Sequence, residues 1–536
     1  MNFTNLAVTA GVSYGLWKII SRAIRIYTSP LYSLRGPSAS NFLIGNLIEI
    51  TKDLSPFLEW AEKYGNVIKI KGALGGDVLY LVDPRAVNYV CSRSLDFQKP
   101  PEGREAAARL FGDDGVIFAE GNKHRQQRRI MNPTFGPSST KELLPIFFAK
   151  AIQLRDILST DLSHNDEREV NIISWLNRVA LDVIGLAGFD YQFNSLNVHG
   201  EPNALNTAMN TLFDASASVD VFLILQALFP ILNRITTQRS KEEKRAKDIM
   251  TNIAEELVQE RKEIILGLKG PSQEQDNLKG LGSDLLSALV AANLDSDLPE
   301  SQRMTHKEMI AQIPTFFFAG HETSSTQTTW ALYYLCQRKD IQEKLYNELK
   351  GVPTDTPTAD QLADLTFLDA VVRETLRVRA AVPMTVRIAI HDDVIPVSKP
   401  YKDRYGKTHK EVRIKKGEVV VIPIHAVNCV KDIWGEDAHE FNPERWSNIP
   451  EAAKDIPGVW GNTMTFLGGS RSCIGFRFAL LEIKALLFTL IRSFAFELAV
   501  PADQIEVRIA SVVKPYLKGD EKSGSQLPVI MKRRGD

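Results

Sequence analysis

Runs of apolar and polar positions divide the chain into an N-terminal tract and a long folded body. Asn2–Trp17 carries no charge and is mostly apolar or small, and Lys18, Arg22 and Arg25 then fall on one helical stripe. A spanning helix needs about 20 apolar residues, a length this tract reaches only if Lys18 and Arg22 snorkel. The pattern predicts a membrane anchor helix over 1–30, with an interfacial amphipathic helix as the alternative. A folded body over 31–536 follows. The Lys/Arg excess after the helix places that body on the cytoplasmic side. Asn2-Phe3-Thr4 is then a luminal glycosylation sequon close to the membrane.

Leu34-Arg35-Gly36-Pro37 reads as a stiff turn out of the anchor. Asn66–Lys71 and Val78–Val82 read as a short strand pair around Gly75-Gly76. From about Pro145 to Asn293 the period is mainly helical, with a polar, glycine-bearing linker at Gly267–Gly282. Val219–Ile235, rich in Leu, Phe and Ile, is either core or a membrane-dipping entrance. Met304–Arg338 reads as one long helix. Pro314 inside it removes a backbone hydrogen bond at a cost of about 3 kcal/mol, which predicts a kink near Ile310–Ile313. Leu365–Val378 is an amphipathic helix, and Val394–Val421 is a hairpin-rich insert turning at Arg404–Lys407. An apolar helix runs from Phe476 to about Leu490. The fold class is mainly α with a small β region.

Composition narrows the function. The chain has 536 residues, 44% apolar and 24% charged, which suits a large globular core. A net charge of −1 supplies no global basic field, so nucleic acid is not an expected partner. Cys91, Cys336, Cys429 and Cys473 form no C-x-x-C pair, so neither a zinc site nor a disulfide framework is indicated. A reducing compartment fits that usage. Gly75-Gly76 opens no G-x-G-x-x-G helix and is not a dinucleotide loop.

The chemistry concentrates at Phe466–Gly475, F-L-G-G-S-R-S-C-I-G. Cys473 sits at a loop-to-helix junction, where backbone N–H groups and the helix dipole favour a thiolate. Gly468, Gly469 and Gly475 let backbone approach a bulky flat partner, and Phe466 could cover the sulfur from water. A lone cysteine here would read as a small buried hydrophobe. The pattern F-x-x-G-x-R-x-C-x-G, however, fixes Phe466, Gly469, Arg471, Cys473 and Gly475. It resembles the haem-binding loop of the haem-thiolate monooxygenases, the cytochrome P450 superfamily.

Other segments carry the same resemblance in the same order. Ala319-Gly320-His321-Glu322-Thr323-Ser324 looks like the family's oxygen-activation motif. Gly320 would let the helix open, Thr323 would offer a hydroxyl, and Glu322 would relay protons from solvent. Phe316, Ala319, Gly320 and Thr323 share a helical face, so Phe316 and Ala319 are expected to line the substrate pocket. His124 and Arg128, four apart after Gly121, match a helix that holds a haem propionate, leaving Lys123, Arg125 and Arg129 for an acidic electron donor. E-x-x-R occurs at Glu242–Arg245 and Glu300–Arg303 too. The one followed by Phe441-Asn442-Pro443-Glu444-Arg445-Trp446 is Glu374–Arg377. The resemblance makes Glu374, Arg377 and Arg445 a buried network bracing the cysteine loop. It gives Arg387 and Arg471 propionate-binding roles and makes Val382 and Met384 pocket residues. His321 and His425 read as structural.

The resemblance implies a helix-rich prism with a small β region behind the anchor, and haem b ligated by Cys473. It implies a monooxygenase acting on a lipophilic small molecule. Electrons would come from NADPH through a separate haemoprotein reductase in the endoplasmic reticulum membrane. The hairpin insert, His124 and the R-G-P entry are most similar to fungal microsomal members, suggesting terpenoid or other specialised metabolism. A haem-thiolate isomerase or dehydratase, or a non-catalytic haem sensor, would not need the Glu322-Thr323 pair.

Overall fold

The computed structural model describes residues 20–111, 114–162, 167–197, 203–217, 237–268, 284–295, 303–509 and 511–534, with Ser13, Trp17, Asp297 and Pro299. Most of the anchor, the Asn2 sequon, Val219–Ile235 and nearly all of the Gly267–Gly282 linker lie outside these residues. The chain packs as two compact units. One comprises Met1–Pro100, Met384–Ala438 and Glu451–Arg471; the other comprises Pro101–Pro383, His439–Pro450 and Ser472–Asp536.

The first unit is built on a five-stranded sheet in the order Val67–Lys71, Asp77–Leu81, Val419–Ile422, Thr385–Ala389, Phe97–Gln98. Its first two strands form the expected antiparallel pair, with Val67 opposite Leu81 and Gly75 at φ +74° in the turn. Leu79, Leu81, Val420 and Ile422 are fully buried, so the sheet is a core and not a surface ribbon. The insert expected over 394–421 is a separate hairpin only as far as Ile414, Asp393–Lys402 with Thr408–Ile414, turning through Gly406 at φ +84°; its last residues belong instead to the sheet strand Val419–Ile422.

Residues 20–27 are helical, and Ile20, Ile24 and Tyr27 are exposed. Arg22 donates to the Ala73 carbonyl at 2.6 Å and Arg25 to the Lys416 carbonyl at 3.0 Å. These two arginines therefore hold the helix end to the sheet unit, a use that the stripe did not foretell. Among the described residues, the one helix long and apolar enough to cross a membrane is Ile172–Phe189. It is 72% buried and packs as a core helix.

The second unit gathers its helices around His306–Gln337, which begins with a reciprocal capping box between Thr305 and Glu308. This central helix is buried on nearly all sides although it reads T-S-S-T-Q-T-T through its second half. Its hydroxyls solve the problem locally. Thr315, Thr323, Ser325, Thr328 and Thr329 each donate to the carbonyl four residues back, at 2.6–3.0 Å. Phe317 packs between Phe189 and Phe193, at centroid distances of 4.5 and 5.1 Å.

Pro314 does not end the central helix, which runs without interruption from His306 to Gln337. The turn that lacks the proline N–H is tied from its sides. Gln312 donates to the Glu308 carbonyl at 3.0 Å and accepts the Val116 N–H at 2.9 Å, and the Thr315 hydroxyl takes the Ala311 carbonyl at 2.7 Å.

Candidate active site

The cysteine loop is tighter than a flat partner alone requires. A Cβ on Gly468 would lie 1.9 Å from the Pro457 carbonyl oxygen, and one on Gly469, at φ +69°, would lie 2.3 Å from that of Cys91. These two glycines admit the protein's own backbone, a use the spacing did not show. Gly475 does keep open space, with Phe135 its nearest neighbour at 3.8 Å. Phe466 is buried and meets Trp460 edge-on at 6.1 Å, and Arg471 is half-buried.

Cys91, Cys336 and Cys429 are buried, whereas Cys473 presents accessible surface. Burial nevertheless pushes the Cys473 thiol up. The Gly475 N–H and the Arg128 guanidinium act in the opposite direction and favour the thiolate. Gly475 is also the N-cap of the helix Phe476–Ser493, whose positive end faces the sulfur's segment. Arg128 Nη1 donates to the Ser472 carbonyl at 2.9 Å, fastening the basic helix Gly121–Met131 to the cysteine loop. His124, one turn earlier, is buried. Lys123 is not left for a partner protein: it pairs with Asp114 and, at 3.1 Å, with Glu308. Arg125 and Arg129 remain exposed.

The helix that follows Cys473 packs against the central helix. There Ala319, Gly320 and Thr323 form a half-buried stripe in an otherwise buried stretch. Phe316 is buried and stacks on Phe135 at 5.4 Å, so Phe318 is the member of the aromatic run with accessible surface. Gly320 also has a packing role, since a Cβ there would lie 2.7 Å from Ile184. The Thr323 hydroxyl donates to the Ala319 carbonyl at 2.6 Å, which leaves its oxygen as an acceptor. Glu322 is buried. Burial would raise its carboxyl, but the Lys514 ammonium at 2.6 Å and the Ser511 hydroxyl at 2.6 Å outweigh it and hold the carboxyl below its ordinary value. Glu322 is thus an ion-paired carboxylate here. His321 is buried, and desolvation lowers it to about 4, so it is a neutral core histidine. His425 is likewise buried, 3.9 Å from the Cys429 sulfur.

Glu374, Arg377 and Arg445 form the expected network. Arg377 grips both Glu374 oxygens, at 2.9 and 2.7 Å, and Arg445 reaches Oε1 at 3.3 Å. The Asn442 N–H and Trp446 Nε1 complete it at 2.9 and 3.1 Å. Trp446 was inside the motif but its role was not legible there. In the other unit, Arg387 is buried and donates to Thr385 Oγ1 at 2.6 Å and to the Val386 carbonyl at 2.8 Å. Met384 is half-buried on that strand's approach, and Val382, in the helical unit, is exposed.

One residue was missed outright. Glu482, fully buried on the cysteine helix, faces Ser324 beside Thr323. Its oxygens meet no donor in good geometry, and burial pushes its carboxyl up to about 8. The available signal was one acid inside the apolar run F-A-L-L-E-I.

These residues fit a haem. Among the described residues no cluster of three or more His, Cys, Asp or Glu could hold a metal ion, so Cys473 offers a single protein donor. A metal held by one thiolate must bring its other ligands with it, as iron does in haem. The half-buried stripe at 319, 320 and 323 would offer a flat macrocycle a wall of small side chains. The Cytochrome P450 family model matches residues 35–518. Cytochrome P450 monooxygenase 205 of Postia placenta is 45% identical, over 98% of this chain and 98% of its own length. Cytochrome P450 monooxygenase 128 of the same fungus is 44% identical, over 97% and 96%. Cytochrome P450 monooxygenase claW of Ampulloclitocybe clavipes is 30% identical, over 97% and 96%. The chain belongs to the cytochrome P450 family and is a haem-iron monooxygenase of that class.

Two outcomes follow from this geometry. Gly469→Ala, which meets both a blocked position and a positive φ, is expected to cost about 1–3 kcal/mol in a thermal melt, and an unchanged melting temperature refutes the packing argument. The folded pKa of Glu482 lies above the unfolded one, so the folded state retains a proton that the unfolded chain loses. Its contribution to stability is therefore lost as pH rises between about 4.5 and about 8. Glu482→Gln is expected to gain about 3 kcal/mol at neutral pH and to flatten this part of the stability curve. A variant whose melting temperature tracks the wild type across that window shows that the carboxyl is not held neutral.

Proposed function

We propose that this protein is a membrane-anchored, haem b-dependent monooxygenase of the endoplasmic reticulum, with residues 31–536 as its catalytic body. Its substrate is a lipophilic small molecule of terpenoid or related specialised metabolism. Its electrons come from NADPH through a separate reductase. The observation that carries the reading is the accessible Cys473 sulfur with Arg128 and the Gly475 N–H beside it and no other candidate ligand cluster among the described residues.

Bound haem supplies oxygen activation and insertion of one oxygen atom into the substrate. The chain's residues prepare that chemistry. Arg128 and the Gly475 N–H stabilise negative charge on the sulfur, and burial keeps water from competing for it. Buried His124 and half-buried Arg128, one turn apart, would form the edge for haem carboxylates. The Thr323 oxygen can accept a hydrogen bond on the half-buried stripe, and it can donate elsewhere only by releasing the Ala319 carbonyl. Glu322 can deliver a proton only after its contacts with Lys514 and Ser511 loosen, which makes that ion pair the control point for proton entry. Ala319, Val382, Met384 and the Phe316 region shape substrate binding, and exposed Arg125 and Arg129 offer positive charge to an acidic donor.

Co-expression with a reductase and a terpenoid panel is expected to give NADPH-dependent products one oxygen heavier than substrate; turnover without NADPH or reductase excludes monooxygenation. Cys473→Ala is expected to abolish the reduced carbon-monoxide Soret band of thiolate-ligated haem, and a retained band rules out that ligand. Thr323→Ala is expected to keep NADPH consumption while diverting it to hydrogen peroxide by about tenfold or more, within the usual range for losing a proton-transfer group. Full coupling in that variant contradicts the role given to the hydroxyl.

A further inference from the structure

A pocket of about 360 Å³ opens in the helical unit, lined by none of the site residues above. That size is at the low end of small-molecule sites, which run to about 1,000 Å³. Its charged lining is Arg155, Lys350, Arg492, Arg533, Arg534 and Asp355. The cations arrive from four separate elements. Arg155 comes from the helix Leu144–Asp161, Lys350 from the end of Lys339–Lys350, and Arg492 from the last turn of Phe476–Ser493. Arg533 and Arg534 end the strand Pro528–Arg533 and begin the segment after it.

The acids available do not match them. Arg155 and Arg492 share the one carboxylate of Asp355, at 3.0 and 3.2 Å. Asp156 offsets Arg155 at 2.8 Å, and Glu343 offsets Arg534 at 2.7 Å. Arg533 donates only to the Ser159 carbonyl, at 3.2 Å, and Lys350 lies 5.7 Å over the Tyr346 ring. Neither has a carboxylate partner among the described residues. Five cations thus face three carboxylates, in a chain whose net charge is −1. Placing cations at helix C-termini explains Lys350 and Arg492, but it does not explain Arg533 on a strand. The side chains of Arg155, Arg492 and Arg534 are only 25%, 22% and 10% exposed, so their forks are held in place before any ligand arrives.

We propose that this pocket binds a phosphate monoester dianion. An excess of two positive charges matches the charge of that group, and arginine forks meet its oxygens bidentately. The group could belong to a soluble metabolite no larger than a nucleotide or to a phospholipid headgroup.

The test is calorimetric titration of the detergent-solubilised haem-loaded chain with inorganic pyrophosphate, alongside flotation on phosphatidylcholine vesicles with and without phosphatidylinositol phosphate. The partner is the Lys350→Gln/Arg533→Gln double variant, whose side chains hold no ion pair that folding needs. Saturable pyrophosphate binding that weakens by about tenfold or more in the variant supports a soluble phosphate ligand. Binding seen only with the phosphorylated vesicles, and lost in the variant, supports a headgroup. No saturable binding to either probe, or equal binding by the variant, overturns the proposal. Retention of the reduced carbon-monoxide spectrum certifies the variant's fold, and Arg533→Gln alone gives the same comparison if the double variant loses it.

Discussion

A carboxylate with no water around it persists only while its oxygens are answered, and Glu374 is the case on which the site depends. Both of its oxygens are taken: by Arg377 twice, by Arg445, by the Asn442 N–H and by the Trp446 indole. The contacts join the helix Thr366–Val378 to the segment around 440–446. That helix is in turn tied to the cysteine helix by Asp369, which accepts Lys484 at 2.7 Å. Each group alone would be a costly buried charge, several kcal/mol by the usual measure, so the network forms whole or not at all. The cysteine helix inherits its position from that cooperation.

The central helix follows the same rule by a different route. Its second half is polar yet buried, and it has no ion pairs to spare for each hydroxyl. Ser325, Thr328 and Thr329 instead turn back onto carbonyls one turn earlier, whereas the buried Thr326 hydroxyl meets no partner among the described residues. The result is a polar rod whose break in burial between 315 and 332 is the stripe at Phe318, Ala319, Gly320 and Thr323. Gly320 serves both faces of the rod, by making room for Ile184 and by leaving a side-chain-free surface.

How much of this could be read from the sequence varied with the span over which the signal was written. Cys473 and its fixed neighbours are encoded in short spacings, as are the Glu374–Arg377 pair and the hairpin at 67–81, which the structure matches, whereas the insert expected over 394–421 ran on into the sheet strand Val419–Ile422. Arg128 was singled out by its spacing from His124, but its bond to the Ser472 carbonyl depends on where the loop lies in space. The partners of Lys123 and Glu322 come from positions far along the chain, at Glu308 and Lys514, and no local pattern points to them. The glycine loop shows the same limit: Gly468 and Gly469 make room for Pro457 and Cys91, which only the folded backbone brings near. The cost of the hydrogen bond lost at Pro314 is visible in sequence, whereas the bracing by Gln312 and Thr315 is not.

The two buried acids beside Thr323 show how little chemistry separates opposite charge states. Glu322 and Glu482 are both nearly or fully buried, and burial pushes both toward the neutral form. Glu322 has Lys514 and Ser511 against its oxygens and remains ionised. Glu482 has only the Ser324 hydroxyl bearing on it and stays protonated up to about pH 8. Residues 322–324 are therefore flanked by a carboxylate on one side and a carboxylic acid on the other. Environments that push two acids apart in this way are how proteins assign proton-accepting and proton-holding roles at neutral pH. Here the assignment rests on one lysine at the start of a late strand, so the protonation pattern around the central helix is set by packing between its face and residues 511–514, not by the motif that first drew attention to it.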